Sequence, residues 1–275
     1  SMHIDLEQLI AVLPIISLTT FSVIVMLCAA FYRRHALIAG LTFFGIVFSL
    51  ACVYLQSGSS AVAVTSLLMI DRFSCFFTAL ILVTTAVITL FCYTYFKARE
   101  GLQEELYILL LTATVGAVVL VSSAHFASFF LGLEILSVSL FAMVAYPVTS
   151  LTHSDHSAST PLEAGIKYLI LSGISSAMLA LGMAFIFAAT STMDIVAIGK
   201  SLSVVNHGYY VIAGVAMMIS GIGFKLSLVP FHMWTPDVYQ GAPAPVTAFL
   251  ATISKSAMLA LVLRGFILLE GFRYD

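Results

Sequence analysis

GIGFKLSLVPFHMWTPDVYQGAPAPVTAFLATISKSA, running from Gly221 to Ala257, decides how the remainder of the chain is read. It holds two apolar segments, each with one lysine well inside it: Lys225 in the first and Lys255 in the second. Pro230 breaks the first segment, His232 follows, and a connection rich in proline and glycine leads to the second. A lysine in hydrocarbon is costly, so it faces a protein interior or a water path and marks a site. Two of them around a broken helix point to a route for protons or cations.

The composition agrees. The chain is 61% hydrophobic and 9% charged, with a mean hydropathy of +1.11, whereas soluble domains carry about 25% charged residues. This is the profile of a polytopic membrane protein in a lipid bilayer. Net charge is −2 and no basic tract is present, so nucleic acid is not expected as a partner. Cys28, Cys52, Cys75 and Cys92 fall in or beside apolar runs without a C-x-x-C spacing, and read as small core residues. The first apolar run contains Pro14, has no basic stretch before it and is followed directly by more spans. It reads as a retained helix rather than a signal segment.

A bilayer core needs about 20 apolar residues in helical form. Eight runs qualify, near 9–32, 36–56, 72–96, 106–121, 124–146, 162–189, 209–231 and 244–266. The connection Gln56–Ser60 is polar, and a loop rich in Ser, Thr and His covers 147–161. Connections after the first and third spans carry Arg33, Arg34, Lys97 and Arg99, against Arg72, Lys200 and Arg273 on the other side, which places the N-terminus outside. From the fifth span onward nearly every helix carries an ionisable residue, so function is expected in the second half.

Each of these residues has a plain reading beside the functional one. Glu134, midway along the fifth span, is either a neutral acid that fixes helix packing or a carboxylate paired with a lysine on a neighbouring helix. Lys167, four residues after Glu163, forms either an i, i+4 bridge at the interface or a second partner for Glu134. Lys225 follows Gly221 and Gly223, which let another backbone or water approach, and precedes Pro230, which clashes with the carbonyl of Leu226. Freed carbonyls beside a lysine are tolerated at membrane depth only where they face protein or a hydrated cavity. His232, seven residues after Lys225, is either an interfacial residue or a relay on the same helix face. Lys255 lies deep in the last span between Ser254 and Ser256, which can hold water around a charge.

His125, His153, His156 and His207 fall at span ends or in loops; Trp234, Tyr239, Tyr209 and Tyr210 fit an interfacial aromatic belt, and Asp71 with Arg72 reads as an interfacial pair. With no nucleotide-cradling glycine motif, nucleophile triad or metal cluster in the sequence, chemistry on a covalent substrate is not expected in this chain, nor a metal site.

Three runs carry a family resemblance: FFLGLEILSVSLFAMVAY (129–146), EAGIKYLILSG (163–173) and FKLSLVPFHMWTPDVYQGAPAPVTAFLATISKSA (224–257). They resemble the antiporter-like membrane subunits of respiratory complex I, the bacterial NADH-quinone oxidoreductase, and TPDVYQGAPAPV with EAGIKYL favours the subunit N branch. Subunits of multi-subunit Na⁺/H⁺ antiporters and membrane-bound hydrogenases share the general pattern. The resemblance implies an all-α fold of about fourteen transmembrane helices, with two five-helix repeats of inverted topology and a discontinuous seventh helix. On that pattern residues 1–105 hold three N-terminal helices and 106–275 the first repeat. The second repeat, with its helix-twelve lysine, has no counterpart in this sequence, so a complete transmembrane proton path is not expected from these residues alone. The family's functional positions fall on Glu134 and Lys225 as a charge pair, Lys167 as its modulator, His232 as a link and Lys255 on the central axis. The resemblance thus implies a proton-translocating subunit in the bacterial inner membrane with a periplasmic N-terminus. It would be a non-redox part of the enzyme, beside other antiporter-like and small membrane subunits, with NADH, flavin, iron–sulfur clusters and quinone held by partners. A subunit of a Na⁺/H⁺ antiporter and a non-pumping structural half-subunit are the alternatives.

Overall fold

A computed structural model describes residues 5–56, 61–97, 99, 103–147, 160–204 and 208–270. The Ser57–Ser60 connection and His153, His156, His207 and Arg273 lie outside the described residues. In chain order the helices are α1 (Leu6–Ala11), α2 (Leu13–Phe31), α3 (His35–Gln56), α4 (Arg72–Lys97), α5 (Glu104–Ser122), α6 (Phe126–Val144), α7 (Pro161–Thr190), α8 (Ile195–Val204), α9 (Tyr209–Leu226), α10 (Thr235–Gly241), α11 (Ala244–Phe249) and α12 (Lys255–Glu270). A π-helical turn, Leu250–Ser254, fuses α11 and α12 into one span. With that span counted once, 8 helices among the described residues are long and apolar enough to cross a membrane. They match the expected runs to within a few residues, except that the seventh stops at Leu226, and large apolar side chains such as Phe44, Phe76 and Ile219 face outward, as lipid-facing residues do.

A hairpin departs from the expectation of helices alone, and a short helix lies outside the expected spans. Residues 62–70 form an antiparallel hairpin, β1 (Val62–Val64) with β2 (Leu68–Ile70), Val62 opposite Ile70 and Thr65 left-handed at φ 57°. The segment is too short to span and rich in β-branched residues, which suits paired strands. The short helix α8 also precedes the seventh span. The hairpin, the α5–α6 connection and the α7–α8 connection are stitched together: Ala124 N donates to Leu67 O at 2.9 Å, Ile195 N to Ala124 O at 3.1 Å and Phe126 N to Met193 O at 2.9 Å. Each follows an even-numbered span, so all three lie on one face of the bundle.

The most enclosed span is α5, wrapped by α2, α4, α6 and α12. It meets α6 through facing glycines: a Cβ on Gly116 would lie 2.9 Å from Gly132 O, and one on Gly132 3.1 Å from Gly116 O. The α7–α9 pair is built the same way, with a Cβ on Gly182 only 2.7 Å from Gly214 O. Without a hydrophobic drive between helices in lipid, such close backbone packing is what joins them.

Candidate functional site

The seventh span ends earlier than its apolar run. α9 stops at Leu226, Ser227 caps it in the left-handed region at φ 58°, and turns through Trp234 lead to α10. Pro230 explains the stop, because it can neither donate to the Leu226 carbonyl nor avoid it. His232 therefore lies in the break and not on the lysine's helix face, so the seven-residue spacing that suggested a shared face does not apply. Its Nδ1 is buried without a hydrogen-bond partner among the described residues, as is Thr235 Oγ1 three residues on.

Lys225, 7% exposed, is the next-to-last residue of α9. Its Nζ donates to Ser172 Oγ on α7 at 2.6 Å and to Ser137 Oγ on α6 at 2.8 Å. Lys225 makes no direct hydrogen bond to Glu134, the residue expected to share its charge pair. Glu134 stands one helical turn before Ser137, close enough to interact electrostatically with Lys225. Its Oε1 is buried and without a partner among the described residues, and so is Ser176 Oγ. Both residues line a cavity of about 50 Å³ together with Ser137 and Ser172. That is room for water where two polar atoms need a partner.

Lys167 is placed elsewhere. Its side chain is 40% exposed and pairs with Glu163 Oε1 and Asp237 Oδ2, each at 2.8 Å. The i, i+4 reading describes it, with Asp237 of α10 rather than Glu134 as the second partner. Lys255 reaches the backbone of Lys225: its Nζ donates to the Lys225 carbonyl at 2.7 Å and to Ser227 Oγ at 2.5 Å. Of the five sequence candidates, Glu134, Lys225 and Lys255 converge, while Lys167 sits on the rim and His232 in the break.

Several participants were not singled out from the sequence. Ser137 could have been found as a small polar residue one turn from Glu134, whereas Ser172 and Ser176 lie five and nine residues beyond Lys167 and carry no such signal. Trp234, assigned to the interfacial belt, is instead 5% exposed and stacked on Phe224 at 5.3 Å. Asp71 does not pair with Arg72; it binds Arg264 of the last span, Nη2 to Oδ1 at 2.8 Å. Among the described residues no group of three or more His, Cys, Asp or Glu side chains could hold a metal ion.

Comparison with known proteins gives this geometry a family. The profile described as NADH:quinone oxidoreductase/Mrp antiporter, transmembrane, matches residues 123–274, the part that holds Glu134, Lys167, Lys225, His232 and Lys255. NADH-quinone oxidoreductase subunit N of Nitrosospira multiformis is 50% identical over 97% of this chain, and that of Methylococcus capsulatus 48% identical over 94%. The chain spans about half the length of these curated relatives, 51% in both. Among solved structures, respiratory complex I from Thermus thermophilus contains a chain 29% identical with a TM-score of 0.75, covering 92% of this chain and 53% of that one. The Mrp complex from Dietzia contains one with the same fold at 19% identity and TM-score 0.70, covering 97% of this chain and 50% of that one. With a profile over more than half of its residues, and a fold that brings the two inner lysines and the membrane glutamate together, the chain belongs to the NADH:quinone oxidoreductase/Mrp antiporter transmembrane family.

Proposed function

We propose that this chain is part of a proton-translocating membrane-arm subunit of a bacterial NADH-quinone oxidoreductase, of the subunit N type, with residues 106–275 as an antiporter-like five-helix repeat. The observation that carries the reading is the buried Oε1 of Glu134, without a partner among the described residues, in a water-sized cavity that it lines with the two serines that hold Lys225. A charged Glu134 favours the ammonium at Lys225, and a protonated one releases that hold. The cavity's water and the Ser172 hydroxyl then offer the proton a path between the two groups. Lys255, bound to the backbone of Lys225, passes the charge change toward the last span. Lys167, with Asp237, sets the field at the rim, and His232 links the break. Redox chemistry falls to partner subunits holding NADH, flavin, iron–sulfur clusters and quinone. In this reading the subunit sits in the inner membrane beside antiporter-like and small membrane subunits, its N-terminus periplasmic.

The test is NADH-driven acidification of inverted membrane vesicles. Glu134→Ala lowers proton translocation by about 10²-fold or more, as loss of a positioned proton-transfer group does, with the complex still assembled. Parent-rate pumping in Glu134→Ala overturns the pairing. Sodium-dependent transport without NADH moves the assignment to a cation exchanger.

A further inference from the structure

The break in α9 does more than interrupt a helix, because it leaves a pocket that one side chain from another span fills. An α-helix ends with carbonyls that have no intrahelical partner, and its C-terminus attracts a cation. At the end of α9 the Lys225 carbonyl points at Lys255 Nζ, 2.7 Å away, and Ser227 Oγ accepts from the same nitrogen at 2.5 Å. The third wall is aromatic: Nζ lies 5.0 Å from the centroid of the Trp234 ring. That ring is itself fixed, since its Nε1 donates to Phe224 O at 3.2 Å, its face stacks on Phe224, and Tyr168 flanks it at 5.4 Å. On the other side, the π-helical turn Leu250–Ser254 immediately precedes Lys255. Such a turn inserts extra backbone and re-aims the residue that follows, and it is frequent at functional sites.

We propose that Trp234 is a positioning residue: with Ser227 and the Lys225 carbonyl it forms a cation seat for the Lys255 ammonium, tying the charge on one lysine to the helix end that carries the other. A neutral amine keeps the hydrogen bonds but loses the attraction of the ring face and of the helix end. The ammonium of Lys225 points away from the seat, to Ser137 and Ser172, so the two lysines share one backbone position without sharing an acceptor. A proton leaving Lys255 therefore loosens the end of α9 and shifts the anchor of Lys225. That last step rests on the proposed proton-carrying role of the two lysines; the seat itself does not.

Trp234 is the one tryptophan of this sequence, and the difference between parent and Trp234→Phe isolates its emission. Emission spectra are taken from membranes bearing the full protein, with Trp234→Phe membranes as the subtracted blank. Lys255→Met shifts the Trp234 spectrum, and Ser227→Ala shifts it in the same direction by less. Lys255→Arg, which keeps a cation over the ring, stays nearer the parent, and it serves if the methionine variant does not fold. Parent-like emission in both Lys255→Met and Ser227→Ala overturns the seat. In vesicles, Trp234→Leu translocates protons at least about threefold more slowly than Trp234→Phe, which retains an aromatic face; equal rates overturn the positioning role. A parent protein that translocates nothing removes the proposed function and leaves the spectral result standing.

Discussion

Lys225 is satisfied by hydroxyls. Ser137 and Ser172 supply the acceptors, and the Glu134 carboxyl lies a turn from Ser137 without bonding to the lysine. A hydrogen bond to a charged group is worth about 1.5–3 kcal/mol, and a buried ammonium without acceptors gives up its proton. The Ser137→Ala/Ser172→Ala double variant should therefore assemble normally yet translocate protons about tenfold more slowly, the rate cost of about 1.4 kcal/mol. Native gel electrophoresis and vesicle acidification together check this, and unchanged rates would show that the hydroxyls are passive. Glu134, Lys225 and Lys255 were legible in the sequence because an ionisable residue deep in an apolar run has no ordinary reason to be there. The serines were not, since serine is common in membrane helices and can bond its own helix backbone, as Ser139 does with Ile135 O at 2.8 Å. Trp234 was hidden by its place near a span end, where aromatic residues serve the interface. Only the fold reveals that the break carries it inward.

Elements obey simpler rules, and more of them could be read in advance. Hydropathy located the eight spans, and Pro230 forecast the interruption of the seventh, although the helix stops at Leu226 because the clash falls four residues back. The hairpin at 62–70 lacked the Asn-Gly or Asp-Gly turn that signals one, and its strands are three residues each, too short for an alternation to stand out. Helix pairing was not legible either, since many glycines are scattered through the chain and only the packing singles out the facing ones. Gly116 and Gly132 are such a pair, each closing on the other's carbonyl. Gly132→Val should force α6 away from α5, costing about 1–3 kcal/mol as an overpacked contact does. Gly173→Val, at a position where a Cβ meets nothing within 4 Å, is the control. Thermal unfolding in detergent compares the two; equal melting temperatures would mean that the α5–α6 seam has slack.

At the scale of the molecule, one ion pair closes the chain upon itself. Asp71 lies just ahead of α4, outside the span, and Arg264 lies in α12, 193 residues away. The guanidinium also donates from Nε to Val121 O at 3.1 Å and sits over Phe73, so the start of α4, the end of α5 and the last span meet at one group. Burial pushes the Asp71 carboxyl up, but hydrogen bonds from Arg264 and Ser74 and the guanidinium charge outweigh it and hold the group below the usual carboxylate range. A carboxyl lowered in the folded state contributes stability that is complete above its free value, about pH 4, and is lost as pH falls through the folded value. The parent's melting temperature should therefore decline below about pH 4, and Asp71→Asn should remove this pair's share of the decline. The two single variants should also differ. Asp71→Ala strands a guanidinium whose side chain is 3% exposed and cannot shed its proton, a loss of about 3–5 kcal/mol. Arg264→Met leaves a carboxylate that is 25% exposed and still bonded to Ser74 N at 2.8 Å, so it costs less. Melting curves of both variants at neutral pH decide the matter: if Arg264→Met is the more damaging, the cation's packing against Phe73 and Val121, rather than its charge on Asp71, holds the last span in place.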